Sequence, residues 1–338
     1  MEDPSIYRIL GPIYISSILP IEQEQDLFES HKITTIISIT DSDIPTKYKS
    51  SPYKNIQIKL NDTPQDIIFP YIGEINYSIA ETIYINPDMV KPKLSGNAVL
   101  IHCQSGISRS VTFVCAYLMN KFKLSLENAL HAIRRNYPNR TFEPNEGFLE
   151  QLEIYNDTEY TTDLQLLKNN SPRWRGYRMK YLINQLYDED NINKDSFSEV
   201  SKPEINDNLW FGFQCCKCRT LLANNLVYVP HLPPFDKDDK QLFFYKRGLG
   251  NQIAQNKCTH IFTEPLNWMK DKILENDDSL QGRLDCYKCN SKVGNYNWKG
   301  GRCSCGKWMI PSIYLYKSKV NQIDSNGKLI LQNDPRAI

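Results

Sequence analysis

Hydrophobic positions follow one rhythm in the first half of the chain and another in the second. Ile13-Tyr14-Ile15 is a short strand signal, and Leu27 to His31 is a turn or two of helix. Ile33-Thr34-Thr35-Ile36-Ile37-Ser38-Ile39 is β-branched at all positions but Ser38 and predicts a buried strand. Ile56-Gln57-Ile58-Lys59-Leu60 alternates, which predicts another. Phe69 to Tyr84 carries apolar residues at helical spacing, and Pro87 to Asn97 reads as a loop. An apolar run, Ala98-Val99-Leu100-Ile101, then precedes a helical pattern from Val111 to Met119. Leu126 to Arg135 predicts a further helix, with Ser125 placed to cap it. Strands alternating with helices predict an α/β domain over residues 1–156, a mainly parallel sheet with flanking helices. Its ligand site belongs at the carboxyl end of the strands.

Residues 157–208 are rich in Asn, Asp, Glu and Ser and read as a linker. Within it, Trp174 to Leu186 has helical spacing and a basic start at Arg173, Arg175, Arg178 and Lys180. A small β-rich domain is expected over 209–338, with a charged insertion at 233–257 and a loose polar tail after Lys319. A length of 338 residues fits this two-domain division. No apolar run approaches the ~20 residues of a membrane span. Met1-Glu2-Asp3-Pro4 lacks a signal-peptide pattern, so a reducing compartment, cytoplasm and nucleus, is expected.

The overall charge of +1 conceals an asymmetry. Residues 209–338 hold 19 Lys and Arg against 11 Asp and Glu, a net of +8, which leaves −7 for residues 1–208. Residues 279–320 carry eight basic side chains and one acid, Asp285. A basic half joined to an acidic half points to a polyanionic partner for the former. Cysteine divides the same way: two of ten precede residue 200 and eight lie within 215–305. CxxC spacing without a secretion signal favours metal ligation over disulfides.

The densest chemistry lies in His102-Cys103-Gln104-Ser105-Gly106-Ile107-Ser108-Arg109-Ser110. Strand, tight loop and helix start together build an anion-binding cup, in which backbone N–H groups converge and the helix N-terminus adds partial positive charge. Such a cup suits a thiolate at its base. Arginine on the rim offers a planar fork for two phosphate oxygens. Gly106 lets the backbone turn close to the anion. The predicted chemistry is attack of Cys103 on a phosphate ester, splitting hydrolysis into two steps. The backbone of Gln104, Ser105, Gly106, Ile107 and Ser108, with the Arg109 side chain, would hold the phosphate.

This loop resembles that of the Cys-x5-Arg phosphatases, and among them the dual-specificity protein phosphatases. Ala116-Tyr117-Leu118-Met119 and Asn145-Glu146-Gly147-Phe148-Leu149-Glu150-Gln151-Leu152 extend the resemblance, as does Asn61-Asp62-Thr63-Pro64 upstream. The resemblance implies a phosphoprotein substrate and makes Asp62 the general acid, with Asp66 on the same polar loop as the runner-up. It gives Ser110 the hydroxyl that helps the cysteine leave as thiolate, and gives His102 and Asn145 orienting roles. Position 105 is Ser where many members carry Ala. Cys115 lies on the apolar helix and reads as core.

Cys286-x2-Cys289, followed by Cys303-x-Cys305, gives four soft ligands among Gly294, Gly300, Gly301 and Gly306, a pattern suited to tetrahedral zinc. Cys215-x2-Cys218 opens a second set, whose remaining ligands come from His231, Cys258 and His260. Cys258 and His231 are the first choice, a Cys258–His260 pair is the rival, and Cys216 breaks the spacing. Two structural zinc ions follow, in sequential or cross-braced arrangement.

A dual-specificity phosphatase followed by such a domain is similar to the zinc-binding lineage found from yeasts to mammals, the yeast vaccinia-H-one homologues. Phe262-Thr263-Glu264-Pro265-Leu266-Asn267-Trp268-Met269 carries this, as do Gly294-Asn295-Tyr296-Asn297-Trp298 and Cys303-Ser304-Cys305-Gly306-Lys307-Trp308. The resemblance implies a role in late maturation of the large ribosomal subunit, contacting rRNA and assembly factors, with phosphatase activity dispensable for that step. Lys288, Lys292, Lys299, Arg302 and Lys307 would neutralise phosphates, while Tyr287, Tyr296, Trp298 and Trp308 mostly fill the zinc core. Three functions therefore compete: a phosphatase targeted by its zinc domain, an assembly factor on a phosphatase fold, and a thiol redox sensor built on Cys103.

Overall fold

The isoleucine-rich run at 33–39 is an inner strand of a five-stranded sheet. A computed structural model describes residues 6–88, 93–186, 197–200, 210–231, 258–274 and 280–330. The chain divides into two units, Met1–Leu167 and Lys168–Ile338.

In the first unit the order is β1 (Ile6–Leu10), β2 (Ile13–Ser16), α1 (Leu19–Glu22), α2 (Leu27–His31), β3 (Ile33–Ile39) and β4 (Lys54–Ile58). There follow α3 (Phe69–Ile83), the short β5 (Tyr84–Ile85) and β6 (Lys93–Leu94), β7 (Ala98–His102), α4 (Arg109–Phe122), α5 (Leu126–Arg134) and α6 (Glu146–Asp157). The sheet runs β1-β2-β7-β3-β4; β2, β7, β3 and β4 are parallel, and only β1 is antiparallel. β7 is buried along its whole length, which accounts for its unbroken apolar sequence. α3 buries Phe69, Ile72, Ile75, Ile79 and Ile83 at three- to four-residue spacing, and α4 buries ten successive residues from Ser110 to Met119, Cys115 among them. Ser125 caps α5 by accepting from Asn128 N, and Asn145 caps α6 by accepting from Phe148 N. Within the expected loop at 87–97, Lys93 and Leu94 form β6 and pair antiparallel with Ile85 and Tyr84 of β5 just before it.

The boundary between units falls inside α7 (Leu164–Asn170). The expected helix at 174–186 is α8 (Pro172–Leu186), and it belongs to the second unit rather than to a free linker. Arg175 is 3 % exposed and donates to Tyr228 O at 2.8 Å, Lys168 O at 2.9 Å and Asn169 O at 3.2 Å. Arg178 pairs with buried Glu264 at 3.2 Å, and Ser198 donates to the other Glu264 oxygen at 2.7 Å. A buried carboxylate held by a cation and a hydroxyl fastens α8 and Ser198 to the segment around Glu264.

Those sheets are β-rich as expected. β8 (Phe211–Cys215) lies between β9 (Leu221–Asn224) and a C-terminal strand, while β10 (His260–Phe262), β11 (Gln281–Asp285) and β12 (Lys292–Asn297) enter a four-stranded sheet. A two-stranded pair, β13 (Gly301–Arg302) with β14 (Trp308–Met309), precedes β15 (Ser312–Tyr316). β16 (Val320–Asp324) corrects the expected loose tail after Lys319: it pairs antiparallel with β8 and buries Val320 and Ile323. Two apolar residues in a polar stretch suffice where a partner strand supplies the ladder. The charged insertion at 233–257 lies outside the described residues. No helix among the described residues is long and apolar enough to cross a membrane.

Candidate active site and metal centres

β7 delivers Cys103 to the carboxyl end of the parallel strands, and α4 begins six residues later at Arg109. The intervening loop requires its glycine. Gly106 has φ +69°, and a Cβ there would lie 2.7 Å from the Ser16 carbonyl carbon and oxygen. Ile18 N donates to Gln104 O at 3.2 Å, so the chain after β2 closes one wall of the loop. Cys103 is fully buried at the base, with its Sγ 3.4 Å from Ser110 Oγ. His102 is also fully buried, with Nε2 2.8 Å from Ser38 Oγ. Burial, aided by the nearby Arg109 charge, pushes its imidazole down to about 4, so the ring is neutral.

Arg109 donates through Nη1 to Leu60 O at 3.0 Å. Its Nε is buried with no hydrogen-bond partner and stands 3.9 Å from Asp62 Oδ2. A buried cationic donor without an acceptor is costly, and an oxyanion in the loop would relieve that cost. Asp62 is fixed by its other oxygen: Oδ1 accepts from Ser108 Oγ at 2.6 Å and from Asn145 Nδ2 at 2.8 Å. Ser108 Oγ in turn accepts from Asn145 N at 3.0 Å. Asp66 is turned to another task, since its carboxylate accepts from the Thr63 hydroxyl. Geometry therefore separates the two candidate acids that the sequence left side by side.

Three residues at this site carried no assigned role in the sequence. Arg140 donates to Ser105 O at 2.8 Å and rests over the Tyr7 ring at 5.1 Å, bracing the exposed rim. Gly147, in the first turn of α6, would place a Cβ 1.9 Å from Pro64 O. Gln151, one turn on, accepts from Ile68 N at 3.0 Å and donates to Asp66 O at 2.8 Å. α6 thus clamps the acid-bearing loop along its length. Nothing local to Arg140 distinguishes it from any loop arginine; Gly147 and Gln151 were visible only as part of the quoted motif.

In the second unit two groups of ligand atoms converge, each with all members within 4.8 Å: Cys215, Cys218, Cys286 and Cys289, and His231, Cys258, Cys303 and Cys305. Either group could hold a metal ion. First and third ligand pairs share one centre, second and fourth the other, which is the cross-braced alternative. Within the first group Cys218 and Cys286 Sγ are 3.5 Å apart, and Cys215 and Cys289 Sγ 3.7 Å. Four thiolates about 2.3 Å from one ion give tetrahedral edges of about 3.8 Å. His231 Nε2 lies 3.4 Å from Cys258 Sγ, near the ~3.5 Å edge expected for nitrogen and sulfur on one zinc. Cys216 is exposed and outside both groups. His260 is outside as well, its ring 4.0 Å from that of Tyr314.

The first centre is built from two like knuckles. Cys215-Cys216-Lys217-Cys218-Arg219-Thr220 and Cys286-Tyr287-Lys288-Cys289-Asn290-Ser291 each turn back through a left-handed fifth residue, Arg219 at φ 60° and Asn290 at φ 54°. Each sixth residue sets a hydroxyl beside the second cysteine, Thr220 at 3.3 Å and Ser291 at 3.0 Å. Such hydroxyls orient and tune ligating sulfur. Tyr296 and Trp298 are buried as expected, whereas Tyr287 is 55 % and Trp308 37 % exposed, so not all the aromatics are core.

The dual specificity phosphatase catalytic domain model matches residues 13–158. Tyrosine-protein phosphatase YVH1 of Saccharomyces cerevisiae is 35% identical over 95% of this chain and 92% of its own length. Dual specificity protein phosphatase 12 of Homo sapiens is 30% identical over 68% of this chain and 66% of its own. The solved Yvh1 phosphatase domain from Chaetomium thermophilum is 26% identical, covering 47% of this chain and 99% of that one, at a TM-score of 0.39. With 35% identity extending through both units, the chain belongs to the YVH1-type dual-specificity protein tyrosine phosphatases.

Proposed function

We propose that the first unit hydrolyses phosphotyrosine and phosphoserine/threonine in proteins through a cysteinyl-phosphate on Cys103. Sγ attacks phosphorus, the bond to the substrate oxygen breaks, and Asp62 gives that oxygen its proton. Water then attacks phosphorus, Asp62 takes its proton, and the S–P bond breaks to release phosphate, with the Ser110 hydroxyl 3.4 Å from the departing sulfur. Arg109 and the loop N–H groups at 104–108 hold the non-bridging oxygens in both steps. The observation that carries this reading is the meeting of Cys103, Arg109 and Asp62 at one loop, with Asp62 turned toward Arg109 at 3.9 Å. Arg109→Lys is expected to abolish turnover of an aryl phosphate, because an ammonium cannot reproduce the fork; retained turnover would mean the loop works otherwise.

The two ligand groups hold one structural zinc ion each, through Cys215, Cys218, Cys286 and Cys289 and through His231, Cys258, Cys303 and Cys305. Zinc there would fasten loops to sheets and supply folding energy, with no part in the phosphoryl chemistry. The second unit acts in late assembly of the large ribosomal subunit, in cytoplasm and nucleus, meeting rRNA and assembly factors. Its net charge of +8 over 209–338 supports a polyanionic partner. Complementation tests this, using Cys103→Ser beside a chain ended after Leu167. Disturbed ribosome profiles in the truncation alone are expected. Normal profiles in the truncation with disturbed ones in Cys103→Ser would overturn the assembly role.

A further inference from the structure

A cleft of about 510 Å³ opens beside the first metal centre, between the two knuckles and the β16 turn. Trp210 lines it at 4 % exposure, and its indole Nε1 is buried with no hydrogen-bond partner. Thr220, Arg219 and Lys288 line it too, and neither cation makes an ion pair among the described residues. Arg219 holds the left-handed position that its counterpart knuckle gives to asparagine. Half-exposed Tyr287 forms an aromatic wall. The acid in the lining is Asp324, whose carboxylate is engaged by Asn326 N and Lys328 N, each at 2.9 Å.

We propose that this cleft binds one nucleotide of single-stranded RNA, its phosphate on Arg219, Lys288 and the Trp210 indole N–H and its base against Tyr287. An orphaned buried donor beside two free cations calls for an anionic acceptor. A half-exposed ring in the same lining suits a base, since every base has a π-face. The cations continue past the cleft: Lys217 lies in the same knuckle, and the Lys319 carbonyl accepts from Cys216 N at 3.1 Å. Cations on both sides of the knuckle, with an aromatic wall beside them, fit a strand rather than a lone anion or a phosphorylated side chain. The proposal rests on the reading of the second unit as facing RNA, and it adds where, and through which side chains, RNA is held.

The test is binding of a fluorescent 12-nucleotide oligouridylate to the full zinc-loaded chain across a salt series, with a phosphotyrosine peptide and inorganic phosphate as competitors. Zinc content and aryl phosphate turnover serve as folding checks. Tyr287→Ala is expected to weaken binding about 5- to 100-fold. Arg219→Ala with Lys288→Ala should flatten the slope of log affinity against log salt by about 0.7, one phosphate contact on a single strand. Trp210→Phe, which keeps an aromatic ring and removes the donor, should weaken binding several-fold with zinc retained. Salt-dependent binding that all these variants leave intact would refute the cleft while leaving the RNA-facing reading standing. No binding of oligouridylate by the wild-type chain would refute both. Displacement by the phosphopeptide at lower concentration than by unlabelled RNA would reassign the cleft to phosphoprotein capture and overturn the proposal.

Discussion

Gly147→Ala should slow one class of substrate far more than another. The added Cβ would sit 1.9 Å from Pro64 O, against backbone that cannot swing aside. Restoring ordinary contact of about 3.4 Å requires α6 and the acid-bearing loop to separate by roughly 1.5 Å. Asp62 lies two residues from Pro64 and takes its Asn145 hydrogen bond from the residue that caps α6. The opening therefore moves the carboxyl from both sides, while the Cys103 end of the phosphate loop stays held by Ser16, Ile18 and β7. A displacement of ~1 Å can cost about 100-fold, and a general acid contributes about 10²–10⁴ when the leaving group is poor. An alkyl phosphate, whose alkoxide needs a proton, should lose about 100-fold in kcat. An aryl phosphate with an acidic phenol should lose less than about tenfold. Paired kcat measurements on the two substrates, with thermal unfolding as a control, read the difference. Asn145→Ala and Gln151→Ala loosen the same clamp without a clash and should show the same selectivity more weakly. Equal losses on both substrates in all three folded variants would refute both the assignment of Asp62 and the clamp.

Metal analysis of the full chain should find about two zinc ions. Cys218→Ser should cost the ion shared with Cys286 and leave the one at His231, whereas sequential pairing would spare Cys286 and Cys289. Lowering the pH should destabilise the first unit through His102. Its folded value of about 4 lies below the unfolded 6.5, so the unfolded chain binds the proton first and stability is lost as pH falls between them. The loss from pH 7 to pH 5 is about 2 kcal/mol, measurable as a shift in the urea midpoint for aryl phosphatase activity and absent in a folded His102→Gln variant. Arg175→Ala leaves the carbonyls of Tyr228, Lys168 and Asn169 without their donor and should destabilise the second unit by roughly 2–3 kcal/mol, read as earlier zinc release on heating.

The parts of the molecule that are legible in sequence are those whose physics is local. Cys103 to Ser110 must form a tight turn onto a helix whatever surrounds it, and Ile33 to Ile39 must be buried on both faces. CxxC knuckles close on themselves. What could not be read is what one segment does to another far away. Asp62 and Asp66 share a loop and a charge, and only the approach of α6, more than eighty residues on, tells them apart. His231 and His260 both flank Cys258 in sequence, but β10 places the His260 ring on Tyr314 of β15 and leaves His231 to the thiolates. Val320 and Ile323 look like stray apolar residues in a tail until β8 supplies a ladder for them.

The same distinction bears on how the two units divide the work. The acid-bearing loop is positioned by contacts that lie wholly within Met1–Leu167, and both metal groups close wholly within Lys168–Ile338. Among the described residues, the side chains named at each site come from one unit alone. Helix α8, the polar-looking segment that seemed to join them, is committed to the second unit by Arg175 and Arg178. A chain cut at residue 209 would therefore remove part of the second unit's own support, through Tyr228 and Glu264, and mistake the resulting instability for dependence on the phosphatase. A cut after Leu167 leaves those contacts whole. Only with that boundary does loss of a cellular function upon removing one unit speak to the function of that unit.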